Sequence, residues 1–195
     1  MASTIEKIKQ LREETAAGMM DVKRALEESD GDLERARRVL RERGQAIAAK
    51  KSTRETHEGL IEAYIHFNGR VGVLVEVNCE TDFVARTPEF REFARNVALH
   101  VASMNPITVS PEGIPEEVLA EERAIAEKQA SEMGKPENIT QRIVEGRIDK
   151  FVKEKALLTQ SYVKEPDKTV GDLLQETIHR VGENVIVRRF VRYEL

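Results

Sequence analysis

The sequence is poor in the residues that most structural specialisations require. It has one cysteine, Cys79, no tryptophan and a formal net charge of only −4 over 195 residues. A single cysteine cannot form an intramolecular disulfide, which is typical of a reducing compartment. No apolar run approaches the roughly 20 residues that span a bilayer, and the charged first residues contain no signal-peptide core. We therefore expect a cytoplasmic protein with no membrane partner.

The near-balance of charge argues against a nucleic-acid binder. Charged residues make up 34% of the chain, but their signs almost cancel, so a broad basic field is not expected. Direct nucleic-acid binding is therefore not expected. A binder that uses Arg188, Arg189 and Arg192 remains an alternative, and its affinity would fall steeply with salt.

The sequence contains no pattern that is diagnostic of catalysis or metal binding. The chain has four histidines, His57, His66, His100 and His179. No two of them have the four-residue spacing of a helical zinc site, and phosphate loops and nucleophile elbows are also lacking. Cys79 lacks a second cysteine and an identifiable base, so a buried structural role is favoured. We expect no metal, cofactor or catalytic residue, while an enzyme using Cys79 or Asp82 remains an alternative.

The first 44 residues have the pattern of three short helices. Ser3 and Glu6 have capping-box spacing, residues 15–18 interrupt the first apolar stripe, and Gly44 is expected to end the third helix. An Asp-Gly-Asp turn at residues 30–32 precedes that third helix. The predicted apolar faces contain Ile5, Ile8, Leu11, Met20, Val22, Leu26, Leu33, Ala36, Val39 and Leu40.

An alanine- and lysine-rich segment divides the chain into two predicted domains. Residues 45–57 are interpreted as a partly helical linker between a bundle, residues 1–44, and a core, residues 58–195. The core begins with two predicted strands, Leu60–Phe67 and Val71–Val77. Asn68-Gly69 between them predicts a two-residue type I′ turn with positive φ at both residues.

The rest of the core alternates helices with two further strands. Thr87 and Pro88 predict the start of a helix that ends before Asn105, and its apolar face contains Phe90, Phe93, Ala94, Val97, Ala98 and Val101. Helices are also predicted at residues 115–133, 136–155 and 170–181, the last capped by Thr169 and ended by Gly182. Strands are predicted at residues 157–163 and 185–193. The fold class is therefore α+β: a small three-helix bundle and an antiparallel sheet covered by helices.

The segment between the hairpin and the Pro88 helix is the most distinctive part of the chain. Thr81 can cap a short helical turn, and Asp82 then lies at the positive end of that turn. Phe83 follows directly, and from its pattern alone a place in the core is the simpler interpretation. The residues themselves therefore leave two possibilities for Phe83, a buried ring or an exposed one.

Three blocks of the sequence resemble bacterial elongation factor Ts, a family that exchanges nucleotide on elongation factor Tu. They are Leu11–Leu26, with Thr-Ala-Ala-Gly-Met-Met at its centre, Val75–Ala85, with Glu-Thr-Asp-Phe-Val-Ala at its end, and Gly182–Phe190. The blocks follow one another in order along almost the whole chain. The resemblance implies a guanine nucleotide exchange factor that acts by binding rather than by chemistry, and a bundle similar to ubiquitin-associated domains.

The resemblance also implies roles for matched positions. Thr81, Asp82, Phe83 and Val84 match the family motif that intrudes near the partner's magnesium site. Arg12, Met19 and Met20 match residues that touch the nucleotide-binding domain of elongation factor Tu, and adjacent methionines suit an adaptable docking surface. The alternative for the methionines is that one, more readily Met20, packs inside the bundle.

The chain departs from the family pattern in two respects. Ala16 stands where the family commonly has glycine, which changes the conformations open to that turn. The chain also has no room for both the second core half and the helical hairpin extension of longer members. Short members are expected to form homodimers, with the last strand offering an edge for pairing. A plain adaptor, which binds a protein without affecting nucleotide release, remains a further alternative.

Overall fold

The structure is a computed structural model that describes residues 3–15, 17–134 and 136–195. It divides into two compact units: Met1–Glu62, Glu76–Arg95 and Leu173–Val187 form unit 1, and Ala63–Val75, Asn96–Asp172 and Arg188–Leu195 form unit 2. The predicted effect of Ala16 falls outside the described residues. Within those residues, no helix has the length and apolarity of a membrane span.

The N-terminal residues form three helices, as the sequence predicts: α1 (Thr4–Thr15), α2 (Met19–Glu28) and α3 (Leu33–Lys51). The capping box at the start of α1 is confirmed, because the Ser3 N–H donates to Glu6 Oε2 at 2.7 Å and the Glu6 N–H donates to Ser3 Oγ at 3.3 Å. At the start of α3, the Asp32 carboxylate accepts from the Arg35 N–H at 2.9 Å. Positive φ at Asp30 and Gly31 confirms the predicted turn before it.

Most of the predicted apolar residues build the core of this bundle. The buried members are Leu11, Ala17, Val22, Ala25, Leu26, Ala36 and Leu40, and Ile8, Leu33 and Val39 pack against them. The predicted core position is wrong for two residues, because Ile5 and Met20 are exposed. These two side chains lie on the outer surface of the bundle instead.

Gly44 does not end the third helix. α3 continues through it to Lys51, so the first half of the predicted linker is helical. A glycine inside an exposed helix costs only about 1 kcal/mol relative to alanine. Strong helix formers flank Gly44, and Ala48, one turn later in α3, is buried. Both features offset that cost.

Two strands follow the bundle, β1 (Glu58–Ile65) and β2 (Val71–Cys79), and they form a sheet in the order β1-β2-β5 with β5 (Val185–Glu194). The predicted type I′ turn between them is wrong. Gly69 has positive φ, but Asn68 does not, and the Gly69 N–H donates to the His66 carbonyl at 2.8 Å. The Asn68 side chain accepts from the Arg70 N–H at 3.0 Å, which stabilises the loop without a left-handed Asn68.

A short helix, α4 (Asp82–Ala85), leads from β2 into α5 (Pro88–Met104). Thr87 caps α5, because its hydroxyl accepts from the Phe90 N–H at 3.3 Å. The six predicted apolar residues of α5 are all buried. The prediction for this helix is therefore confirmed at both ends and along its buried face.

Helices α6 (Glu116–Ser131) and α7 (Glu137–Lys155) pack through a small apolar core of Ala126, Ala130, Val144 and Ile148. The predicted strand at residues 157–163 is wrong for most of its length. Leu157–Thr159 form a 3₁₀ turn, and only Ser161–Tyr162 (β3) pair with β4 (Glu165–Thr169). Instead of pairing with a strand, the N–H groups of Leu157 and Leu158 donate hydrogen bonds to the carbonyls of Thr108 and Val109.

Helix α8 (Val170–Val181) and strand β5 complete the chain. Thr169 caps α8 as predicted, since its hydroxyl accepts from the Asp172 N–H at 3.0 Å. Gly182 ends α8 with a φ of 77°. Helices with a small antiparallel sheet confirm the α+β class, while the domain boundaries and the likeness of the bundle to ubiquitin-associated domains stay predictions.

Candidate partner-docking site

The turn after β2 has the conformation that its sequence predicts. Thr81 adopts an extended backbone, φ −130° and ψ 155°, and its hydroxyl accepts from the Val84 N–H at 3.4 Å. This is N-cap geometry, in which a side-chain oxygen satisfies an otherwise unpaired helical N–H. The four-residue helix α4 therefore begins at Asp82 because Thr81 caps it.

Asp82 lies in the first turn of α4 and pairs with a cation one turn later. Its Oδ2 is 2.8 Å from an amino nitrogen of Arg86, and the two side chains are 45% and 73% exposed. An exposed pair of this kind contributes little to folding stability. Asp82 is therefore accessible to a partner, with a cation beside it.

Phe83 is the most exposed part of this turn. Its side chain is 79% exposed, whereas Val84 is only 8% exposed. The core interpretation of Phe83 is therefore wrong, because the ring faces solvent. The four predicted motif residues have different surroundings: Asp82 and Phe83 face outward, Thr81 caps the helix, and Val84 anchors it.

A carboxylate from a distant part of the sequence holds the turn from behind. Glu183, which follows Gly182 at the end of α8, accepts through Oε2 from the N–H groups of Glu80 at 3.1 Å and Thr81 at 3.0 Å. Its Oε1 accepts from the Thr81 hydroxyl at 2.7 Å. Hydrogen bonds to an ionised acceptor are about twice as strong as neutral ones.

The turn after β2 and the segment after α8 bind each other reciprocally. The Glu80 carboxylate accepts from the Asn184 N–H at 2.6 Å, and Arg54 lies 3.4 Å from the same oxygen. The Asn184 side-chain amide in turn donates to the Arg54 carbonyl at 2.8 Å. All of these residues belong to unit 1, so the turn, the end of α8 and the segment after α3 are joined within one unit.

Cys79 lies beneath the same turn. It is fully buried, and its thiol donates to the Thr81 carbonyl at 3.2 Å. Burial, followed by the negative charge of Glu183, raises the pKa of the thiol to about 11. The protonated thiol therefore predominates near neutral pH, which agrees with the expected structural role and argues against a nucleophilic one.

The N-terminal site residues form a second exposed area. Arg12 is exposed, and Met19 and Met20 are 57% and 59% exposed. The alternative in which Met20 packs inside the bundle is therefore wrong. A shallow groove brings Arg12 and Met19 together with residues that sequence reasoning did not select, namely Ile5, Ile8, Lys9 and Glu13.

Glu183 and Ile5 were missed as site residues for different reasons. Glu183 lies about a hundred residues from Thr81, and nothing in its local sequence indicates an interaction with that turn, although it belongs to the third family-like block. Ile5 was assigned to the bundle core on its helical spacing, but it is 78% exposed. Ile5 precedes Leu11, the buried residue of α1, by six residues, nearly two helical turns, which places it beyond the bundle core.

The basic residues near the C-terminus are not equivalent to one another. Arg188 and Arg189 are exposed. Arg192 donates from Nε to the Ala102 carbonyl at 3.2 Å and pairs with Glu194 at 2.6 Å. These contacts occupy Arg192 within unit 2. Among the described residues, no group of three or more histidine, cysteine or acidic side chains is placed to hold a metal ion.

Comparison with known proteins gives a match over almost the whole chain. The family model described as "Elongation factor TS" matches residues 2–195. Proteins named "Elongation factor Ts" are similar to this chain, including one from Rubrobacter xylanophilus that is 78% identical over 195 residues, covering all of both chains. One from Thermoanaerobacter sp. (strain X514) is 57% identical over 96% of this chain and 92% of its own.

A relative of slightly lower identity is also covered almost completely. The "Elongation factor Ts" of Desulfosudis oleivorans is 54% identical over 96% of this chain and 95% of its own length. Together, the fold and these matches define an α+β elongation factor. In particular, the chain belongs to the elongation factor Ts family.

Proposed function

We propose that this chain is a guanine nucleotide exchange factor that binds elongation factor Tu·GDP and promotes release of GDP and its exchange for GTP during protein synthesis. It acts in the cytoplasm by protein–protein binding, without catalytic residues or a cofactor of its own. The observation that carries this proposal is the exposed ring of Phe83, 79% accessible on a capped turn. An exposed aromatic ring on a fixed element is typical of a binding hot spot.

The proposed mechanism follows from how a GTPase holds its nucleotide. A phosphate loop and a magnesium ion bridging the phosphates neutralise the charge of the nucleotide. Asp82 and Phe83 enter beside this site and displace the elements that hold the ion. The phosphates then lose part of their charge compensation, and GDP dissociates.

Binding of the factor and binding of GDP must oppose each other equally. If the factor weakens GDP affinity by some ratio, GDP weakens the affinity for the factor by the same ratio. A change of about 10⁴-fold corresponds to roughly 5.5 kcal/mol of coupling. The factor itself need not prefer GTP, since an excess of GTP over GDP can set the direction of exchange.

The exposed groove of the bundle supplies the second contact. Arg12, Met19 and Met20 bind the nucleotide-binding domain of elongation factor Tu. Met19 lines the groove with Arg12, and Met20 is exposed beside Met19 in sequence, so the three residues combine an adaptable apolar surface with a fixed charge. This contact contributes to affinity, while the Phe83 turn acts on the nucleotide site.

We also propose that the chain forms homodimers through unit 2. Exposed apolar side chains occur there on all three strands of the sheet: Ile65 on β1, Leu74 on β2, and Val191 and Tyr193 on β5. Apolar patches of this kind mark interaction sites. A second copy of the chain is the partner that we expect to cover them.

The decisive experiment is release of a fluorescent GDP analogue from elongation factor Tu, followed by stopped-flow fluorescence. The wild-type chain should accelerate release, and a variant with Asp82→Ala and Phe83→Ala should not. Phe67→Ala is the matched control, because Phe67 is also exposed, at 92%, but lies on the β1–β2 loop. Binding without accelerated release would favour the plain adaptor, and no binding would exclude both.

A further inference from the structure

The turn that carries Asp82 and Phe83 is too short to hold its own position. α4 has only four residues, and an isolated turn of that length is not stable in water. The buried residues of α4 are Val84 and Ala85. The direction in which Phe83 faces must therefore be fixed by groups outside α4.

Glu183 is placed to fix the orientation of Phe83. Its carboxylate binds the N–H groups of the two residues immediately before α4 and the hydroxyl of the N-cap, at 3.1, 3.0 and 2.7 Å. The Thr81 hydroxyl has one hydrogen and two acceptor positions. By taking that hydrogen, Glu183 orients the oxygen so that it can accept from the Val84 N–H.

The opposite segment is held in the same way. The Glu80 carboxylate accepts from the Asn184 N–H at 2.6 Å, so each segment provides a carboxylate to the backbone of the other. The two segments are therefore joined by hydrogen bonds from both sides. The Glu183 carboxylate is turned toward the protein, while Phe83 projects into solvent.

We infer that Glu183 is a positioning residue for exchange, which sets the orientation of the Asp82–Phe83 turn toward the nucleotide site without touching the partner itself. This inference rests on the proposed function. It assigns a role to a residue of the α8–β5 connection, about a hundred residues away from the turn. Loss of the Glu183 contacts should leave the partner bound but reduce the efficiency with which GDP is released.

The test uses Glu183→Gln in the full-length chain with elongation factor Tu. Glutamine keeps the shape of the side chain but loses the charge and one acceptor, so we expect the maximal rate of GDP release to fall by roughly tenfold. The concentration of factor that gives half the maximal rate should change much less. An unchanged maximal rate would overturn the inference.

Asp172→Asn is the matched control. Asp172 makes the same kind of contacts, accepting from the N–H and the hydroxyl of Thr169, each at 2.9 Å, but it lies in the first turn of α8, at the opposite end of that helix from Glu183. It should lower thermal stability without lowering the maximal release rate of the folded protein. An equal loss of rate in both variants would mean that Glu183 acts only through general stability.

A double variant shows whether Glu183 acts through Phe83. If it does, Glu183→Gln combined with Phe83→Ala should be no slower than Phe83→Ala alone. Fully additive effects would overturn the inference. If Glu183→Gln does not fold, Glu80→Gln weakens the reciprocal contact to the Asn184 N–H and is judged by the same criteria.

Cys79 provides a readout that needs no partner. It is the only cysteine of the chain, and its thiol donates to the Thr81 carbonyl. Loss of the Glu183 charge alone lowers the pKa of this thiol, so the reaction rate with a thiol reagent is divided by the thiolate fraction obtained from its pH dependence. A displaced turn should expose the thiol, so this corrected rate should be several-fold higher in Glu183→Gln than in wild type in the native state. If the wild-type chain does not accelerate GDP release, the proposed function fails, and this reactivity alone decides whether Glu183 positions the turn.

Discussion

Phe83 and Val84 are adjacent in sequence but face opposite environments, with the ring 79% exposed and the valine 8% exposed. The same short helix therefore has one residue available for binding and one that attaches it to the core. This separation allows function and stability to be tested independently at neighbouring positions.

Phe83→Ala should impair exchange without destabilising the protein. Truncation of an aromatic hot spot costs about 2 kcal/mol or more of binding free energy, so stimulated GDP release should slow by roughly 30-fold. The thermal unfolding midpoint should stay within about 1 °C, since an exposed ring stabilises the fold little.

Val84→Ala should show the opposite behaviour. Removing two buried methyl groups costs about 1–3 kcal/mol of unfolding free energy, while the exposed binding face of the turn is retained. Urea unfolding and GDP release should be measured on both variants. A Phe83→Ala variant that loses stability but releases GDP at the wild-type rate would contradict the proposed role of the ring.

The elements that the sequence predicted well are those with strong local signals. Helix α5 has a capping threonine, a proline at its first position and a continuous apolar face ending at Asn105, and all of these features agree with the structure. The Thr81 cap is likewise a local signal. Local chemistry of this kind does not depend on knowing the rest of the fold.

The elements that the sequence missed depend on distant partners or on weak propensities. β4 begins Glu-Pro-Asp-Lys, residues with low strand propensity, and it forms only because it pairs with β3. The Gln160 side chain, inside the segment predicted as a strand, is buried against the carbonyls of Glu154 and Met104. The role of Glu183 likewise depends on contacts across about a hundred residues, which no local pattern reveals.

The exposed groove of the bundle should control affinity rather than the maximal rate. Arg12→Ala combined with Met19→Ala removes a charge and an apolar contact from the lining of the groove. We expect the half-saturating concentration for GDP release to rise by about tenfold, the effect of losing roughly 1.4 kcal/mol of binding free energy. Arg24→Ala, an exposed α2 residue that does not line the groove, should leave release unchanged.

The buried histidine predicts a specific pH dependence of stability. His100 is fully buried, its Nδ1 accepts from the Val163 N–H at 3.2 Å, and its Nε2 lies 2.9 Å from Gln160 Oε1. The Gln160 amide nitrogen donates to backbone carbonyls, so its oxygen faces the ring and the proton of the neutral imidazole lies on Nε2. Burial lowers the pKa of His100 from its ordinary value of 6.5.

Stability should therefore fall as the pH decreases below about 6.5. The unfolded chain takes up a proton on His100 in that range, whereas the folded chain resists it because protonation of Nδ1 breaks the Val163 contact. The limiting slope is about 1.4 kcal/mol per pH unit for one such group. Urea unfolding between pH 5 and 8 measures this slope.

Two variants separate His100 from other titrating groups. His100→Gln should lower stability at pH 8 and reduce the slope between pH 6.5 and 5. His57→Gln, which replaces an exposed histidine in the same way, is the control for the substitution itself. A slope that does not change in His100→Gln would show that this histidine does not account for the acid sensitivity.

Cys79 should be chemically silent in the native protein. Its thiol has a pKa raised to about 11, so only about one molecule in a thousand carries a thiolate at pH 8, and the side chain is buried as well. Iodoacetamide should label it much more slowly than a free thiol at pH 8 and rapidly in urea. Cys79→Ala should keep most of the stimulated GDP release, and loss of release in a folded variant would instead support chemistry at this residue.

The exposed apolar strands of unit 2 should hold two copies of the chain together. Tyr193→Glu combined with Leu74→Glu places two negative charges per chain among Ile65 and Val191, which repel each other in a dimer and are costly to bury. Sedimentation equilibrium should show a wild-type dimer and a monomeric variant. The dimer dissociation constant of the variant should be at least a hundredfold higher, which corresponds to roughly 2.7 kcal/mol of association free energy. Glu165→Lys, an exposed change on β4, is the control and should stay dimeric. A wild-type chain that is monomeric at tens of micromolar would remove the reason for assigning these side chains to a second copy.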